Sequence, residues 1–205
     1  MKIFCKKMPA AVFLMLALGA SAVQAQPAEE AVQAFLREIT AIDFAAAPEA
    51  VHSQASRAHP YLDLEALSQR ALAAHWDSVP PEDRSRFLDL MGQLIEYVAY
   101  PKTKRLMSLY TVLYPGSEES AGEARVPSVI QQQEKGLDIH VLYHLREKDG
   151  HWKIDDVILD DVSITEDLKY QFDKIITESR FDGLLQKMNE RLERARKEST
   201  GPPAS

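Results

Sequence analysis

The chain predicts an α+β domain, an antiparallel sheet flanked in sequence by helical parts. Three stretches carry that prediction. Phe87, Leu90, Met91, Leu94, Ile95 and Val98 recur at i, i+3, i+4, i+7, i+8 and i+11, the stripe of an amphipathic helix. Leu137, Ile139, Val141, Tyr143 and Leu145 alternate with Asp138, His140, Leu142, His144 and Arg146, the two-residue period of a strand with one apolar face. Leu168, Phe172, Ile175 and Ile176, then Phe181, Leu184, Leu185, Met188 and Leu192, return to helical spacing. A curved sheet with helices laid on one face encloses a concave apolar space, which side chains fill or a ligand occupies.

The elements follow in order. Residues 1–25 read as a secretory leader. Lys2, Lys6 and Lys7 precede an uncharged run of 14 residues from Ala10 to Val23. Val23-Gln24-Ala25 then places small residues where a signal peptidase reads, so cleavage is expected after Ala25. The run is shorter than the roughly 20 residues that span a bilayer. A first helix follows, with Val32, Phe35, Leu36, Ile39 and Ile42 on one face and Glu29 and Glu30 in its first turn, where the helix dipole favours acids. Pro48 ends that segment or starts the next. Leu64, Leu67, Ala71 and Leu72 mark a second helix that closes near His75-Trp76. Pro80-Pro81-Glu82-Asp83 starts the strongest helix, with Pro near the first position. Pro101 is expected to kink or break it, most simply by ending it, and 114–122 reads as a loop.

Strands are expected at Arg125–Gln133, at 137–145, at Trp152–Leu159 and around Val162–Thr165. Lys148-Asp149-Gly150 supplies a hairpin turn. Residues 26–192 form one domain in this reading, and 193–205 a charged, frayed tail.

Composition narrows the function. The 24 Lys+Arg and 31 Asp+Glu give a net charge of −7. Losing the three leader lysines leaves 21 against 31, a charge of −10. A nucleic-acid binder needs a clustered basic surface to displace counterions, and this balance argues against one. Cys5 precedes the apolar run and leaves with the leader, so the remaining chain has no thiol. That suits an oxidising compartment and excludes disulfides, thiolate metal sites and Cys nucleophiles. No glycine-rich phosphate loop, GxSxG elbow or HExxH pair occurs. His140 and His144 share a strand face but stand about 13 Å apart at ~3.3 Å per residue, too far to share a metal. No cofactor is expected.

Asp156 is the carboxylate to weigh for catalysis. On regular strand parity it shares a face with Trp152, Ile154 and Ile158, and a carboxylate buried beside aromatics has a raised pKa and can act as a base. The plainer reading is that Asp156 ties down a neighbouring loop, or that a bulge at Asp155-Asp156 turns it away.

The C-terminal half carries a resemblance. His151-Trp152-Lys153-Ile154-Asp155-Asp156-Val157-Ile158-Leu159-Asp160-Asp161-Val162-Ser163-Ile164 resembles the pattern W-K-(V/I)-x-D-V-x-(I/V)-x-G-V-S-(L/I). Lys169-Tyr170-Gln171-Phe172 resembles a basic residue before x-Q-F, and Phe181-Asp182-Gly183-Leu184-Leu185 resembles G-x-D-x-L-I. Pro81-Glu82-Asp83-Arg84-Ser85-Arg86-Phe87 resembles S-P-E-Q-R-x-x-F. These are motifs of the MlaC family of periplasmic phospholipid-binding proteins, also called toluene-tolerance proteins, and the resemblance runs from Val32 to Leu192. Asp161 stands where the family usually has Gly, Pro80 replaces its usual Ser, the loop at 114–122 is longer, and Tyr100-Pro101 interrupts the region of an unbroken Tyr-bearing helix.

The resemblance implies a nuclear-transport-factor-like roll with added helices, and a soluble periplasmic carrier. Such a carrier moves phospholipid between an outer-membrane lipoprotein complex and an inner-membrane ABC lipid transporter complex, maintaining outer-membrane asymmetry and solvent tolerance. Neither a cofactor nor a catalytic residue is implied. Face and register then nominate a cavity wall of Tyr97, Val98, Val141, Tyr143, Trp152, Ile154, Ile158, Val162, Ile164 and Phe172. The rivals are a small enzyme of the same cone-shaped fold with Asp156 as base, a structural module whose apolar face is plain core, and a carrier of a hopanoid-like lipid.

Overall fold

Pro27 has no N–H to leave unsatisfied and stands just before helix α1 (Ala28–Ala41), whose apolar stripe Val32, Phe35, Leu36 and Ile39 is buried. The computed structural model describes residues 27–132 and 137–200, so the expected leader at 1–25, residues 133–136 and residues 201–205 lie outside the described residues. Helix α2 (Pro48–Ala55) opens on Pro48, and a 3-10 turn at His59–Tyr61 leads to α3 (Leu64–Leu72), capped by Asp63 accepting from the Ala66 N–H. A second 3-10 turn (Ala73–Ser78) leads to α4 (Pro81–Leu94).

The helix does not end near Pro101. It passes through a π-turn, Ile95–Ala99, into α5 (Tyr100–Leu109), and the Tyr100 N–H bonds the Ile95 carbonyl five residues back. In a regular α-helix the Pro101 ring would strike the Tyr97 carbonyl, and one inserted residue relieves that clash without stopping the helix. The expected break is therefore a change of phase.

Among the described residues six antiparallel strands follow: β1 (Thr111–Leu113), β2 (Glu118–Ser120), β3 (Glu123–Gln132), β4 (Leu137–Lys148), β5 (His151–Leu159) and β6 (Val162–Ser163). Their order is β1-β3-β4-β5-β6, with β2 also on β3, an open sheet. Strand β2 lies inside the segment expected to be loop. It pairs with β3 through Ala121-Gly122, whose φ values of 51° and 78° give a tight hairpin. Asp149-Gly150 turns β4 into β5 in the same way. Asp160-Asp161 turns β5 into β6 with φ of 45° and 67°, so Asp161 adopts the left-handed backbone for which glycine is the default, and which Asp tolerates better than most residues.

Helix α6 (Ile164–Thr200) is two helices joined at Arg180, whose φ of 61° breaks the helical path. Gly183 is required there, since a Cβ on it would fall 2.3 Å from Ser179 Cβ. The helix begins with a capping box in sequence, Ser163 to Glu166, and Ser163 Oγ accepts from the Glu166 N–H at 3.1 Å. Residues 193–200 are helix rather than the expected tail. Ala195 is buried, and Arg196 lies over the Tyr97 ring.

The apolar interior falls into two clusters. The first joins α1, α2, Tyr97, Tyr100 and the inner face of the sheet, and takes Leu192 and Ala195 from the end of α6. The second joins α3, Trp76, α4 and α6 around Phe87, which meets Phe172 edge to face at 5.7 Å. Leu90, Leu94 and Ile95 pack against both. Among the described residues no helix is long and apolar enough to cross a membrane.

Candidate lipid-binding site

Strand pairing fixes which side chains face the helices. Ala124, Val126, Ser128 and Ile130 of β3 stand opposite Leu145, Tyr143, Val141 and Ile139 of β4, and all eight are core or packed on it. On β5, Trp152 and Ile154 continue this inner face. Between them and the strand's end the register slips: Leu145 pairs with Ile154, but His144 pairs with Asp156, leaving Asp155 as the extra residue of a β-bulge. Past the bulge every side chain changes face. Val157, opposite Tyr143, packs on the first cluster, and Ile158, opposite Leu142, turns outward.

The ten residues nominated as wall therefore divide. Tyr97, Val98, Val141, Tyr143, Trp152 and Ile154 meet at the first cluster. Ile158 lies on the opposite face because of the bulge. Val162 and Ile164 are exposed, beyond the Asp160-Asp161 turn at the sheet's end. Phe172 belongs to the second cluster. Ile130, Leu145 and Val157 extend the apolar face that the helices cover, and Phe35 of α1 joins the same cluster.

Burial raises the hydroxyl pKa of Tyr143, and the nearby Tyr114 adds to it, so the phenol stays neutral as a wall residue. Trp152 Nε1 and Tyr100 Oη are buried without a hydrogen-bond partner among the described residues. Each leaves one unpaired polar atom in the first apolar cluster.

The bulge explains both acids. Asp155 is fully buried and held by Arg70 Nη2 at 2.6 Å, Arg146 Nε at 2.9 Å and His144 Nδ1 at 2.6 Å. Asp156 Oδ1 accepts from the Val157 N–H at 2.8 Å and the Thr165 N–H at 3.3 Å, and Oδ2 accepts from Ser163 Oγ at 2.6 Å. Its carboxylate ties the β5–β6 turn to the start of α6, on the face away from Ile154. That is the tether reading, and those bonds occupy the carboxylate that the enzyme reading needs as a base.

A third buried carboxylate escaped the sequence reading. Glu96 sits in the π-turn at 1% exposure. His52 Nδ1 donates to its Oε2 at 3.1 Å, and His59 Nε2 stands 3.0 Å from Oε1. Burial acts to raise its pKa, but the contacts and charges of His59 and His52 outweigh burial and hold it below the ordinary 4.5. On the regular helical phase Glu96 faces away from the Phe87–Val98 stripe. The π-turn rotates it inward, so the signal that would have found it is Pro101 one turn later.

Two openings flank this carboxylate. An outer pocket of about 440 Å³ is lined by Pro48, Glu49, His52, Asp89, Gln93, Glu96, Tyr97 and Arg196. An inner apolar void of about 60 Å³ is lined by His59, Leu62, Leu64, Gly92 and Ile95. Among the described residues no group of His, Cys, Asp and Glu has the arrangement to hold a metal.

The fold is similar to a solved phospholipid-binding protein from Ralstonia solanacearum in complex with a phospholipid, with a TM-score of 0.69 over 83% of this chain and 99% of that one. At 19% identity that likeness shows the fold. No curated protein matches the chain. The profile of the MlaC protein matches residues 28–190, so it covers the sheet, the π-turn and all of the two apolar clusters but Leu192 and Ala195, and the chain belongs to the MlaC family.

Proposed function

We propose that this protein is a soluble periplasmic carrier that takes a phospholipid between the sheet and its helices and delivers it between outer-membrane and inner-membrane lipid complexes. The observation that carries the reading is the inner face itself: Val141, Tyr143, Trp152 and Ile154 under Tyr97 and Val98, an aromatic and aliphatic layer in a family of lipid binders. Each CH₂ hidden from water is worth about 0.8 kcal/mol, so an acyl chain needs such a layer and little else. The relative from Ralstonia solanacearum holds a phospholipid on the same fold, which supports the same class of cargo here.

Native mass spectrometry tests the reading. The protein exported to a bacterial periplasm and purified without detergent is expected to carry an extra mass that extracts into organic solvent as phospholipid. An unliganded mass that also fails to take up added phospholipid would contradict it. Val141→Arg places a charge in the middle of the inner face, and is expected to abolish lipid retention. Retention at the wild-type level would move the acyl chains elsewhere.

A further inference from the structure

The two apolar clusters meet at a seam, and the inner void lies on it. Leu62 packs with the first cluster, Leu64 with the second, and Ile95 with both. Outside the seam lies the larger pocket beside His52 and Glu96. Glu96 is a wall of the outer pocket and His59 a wall of the inner void, and their polar atoms are 3.0 Å apart. That contact joins a wall of one space to a wall of the other.

Within residues 48–61 the buried apolar side chains are small, Val51, Ala55 and Ala58, and Tyr61 at the end packs partly buried on Phe35. Beyond it the chain is fastened: Leu62 bridges Ile154, and the Asp63 N–H bonds the Ile154 carbonyl at 2.9 Å. This strap is anchored at its C-terminal end to the sheet, tied by Arg57 to Glu38 of α1 at 3.3 Å and by Gln54 Oε1 accepting from the Asp43 N–H at 2.7 Å, and held over the seam by Glu96 on a π-turn, a helical irregularity that recurs at functional sites.

We propose that this seam is the mouth through which a lipid acyl chain reaches the inner face, and that the Glu96 contacts to His52 and His59 are the latch that closes it. The inference rests on the carrier reading above and adds where the cargo passes. Lifting the strap joins outer pocket, void and seam into one path beside Tyr97, and Tyr100 Oη stands at its wall as a donor for a lipid ester oxygen. The latch breaks without unfolding the sheet, since no strand bond crosses it.

Two variants act on opposite sides of the mouth. Glu96→Gln weakens the latch. Gly92→Val fills the void, because a Cβ at Gly92 already touches Leu64 Cδ2 at 3.4 Å. The probe is a fluorescent phosphatidylethanolamine, followed by stopped flow between the full-length exported protein and vesicles of phosphatidylethanolamine and phosphatidylglycerol.

Glu96→Gln is expected to exchange lipid several-fold faster than wild type, and Gly92→Val several-fold slower, both loading to the wild-type level at equilibrium. If both load normally and exchange at the wild-type rate, the mouth lies elsewhere while lipid carriage stands. If the wild type takes up no phospholipid, carriage and mouth fail together. Should Glu96→Gln not fold, a wild-type exchange rate in Gly92→Val alone overturns the proposal.

Discussion

Asp155 and Glu96 are both buried carboxylates, both sit at a backbone irregularity, and they are held by different chemistry. Asp155 occupies a β-bulge and is gripped by two guanidinium groups and one imidazole. Glu96 occupies a π-turn, and among the described residues its ion-pair partners are two imidazoles. A guanidinium is charged at every physiological pH and binds as a rigid fork, whereas an imidazole carries charge only when protonated. The first arrangement fastens α3 permanently to the sheet, because Arg70 also donates to the Asp155 carbonyl. The second holds a strap of small residues over the seam. One region is a knot and the other a latch, and the partners decide which.

The largest expected effect breaks the knot. Asp155→Ala removes a set of charge-assisted hydrogen bonds from a fully buried position and is expected to cost about 3 kcal/mol in denaturant unfolding. A loss under about 1 kcal/mol would mean that the cluster is decorative and the contrast with Glu96 is empty.

Glu96→Gln is expected to cost only about 1 kcal/mol at neutral pH, since the amide keeps a hydrogen-bonding shape. Its signature is the pH dependence. The Glu96 carboxyl is held below 4.5 in the fold. Its stabilisation is therefore complete above that ordinary value and is lost as pH falls through the lowered one. Thermal melts below about pH 4.5 should show wild type losing more stability than Glu96→Gln. Parallel curves would remove Glu96 from the acid response.

The smallest effect separates both carboxylates from the tether at Asp156. Ser163→Ala deletes the cap of α6 and one bond to Asp156. It is expected to cost about 1 kcal/mol by chemical denaturation, with lipid retention unchanged. Lost retention would tie the start of α6 to the cargo.

Most of the sheet was legible because strand alternation and Asp-Gly turns are local signals: β4, its hairpin and β5 stand where the pattern puts them. The same period fails past Asp155, because the bulge at Asp155-Asp156 exchanges the faces, and the local pattern admits that bulge without deciding between it and the regular strand that puts Ile158 inside. Ile158 thus gave way to Val157 on the inner face. The helical stripe of Phe87 to Val98 was equally plain, yet its phase beyond Ile95 depends on how the chain absorbs Pro101, which is a backbone choice. Glu96 was hidden for that reason, and its partners His52 and His59 are distant in sequence. The charge of residues 193–200 reads as tail in sequence, although Ala195 gives the helix a buried contact and Arg196 packs on Tyr97.

Photo-crosslinking with a phospholipid carrying a diazirine near the end of one acyl chain bears most directly on where the cargo lies. Peptide mapping should place the label on the inner face, at Val141, Tyr143, Trp152 or Ile154, or on Tyr97 and Val98 above it. Label confined to outward residues such as Leu142 and Ile158, or to the exposed Val162 and Ile164, would contradict an acyl chain held between sheet and helices.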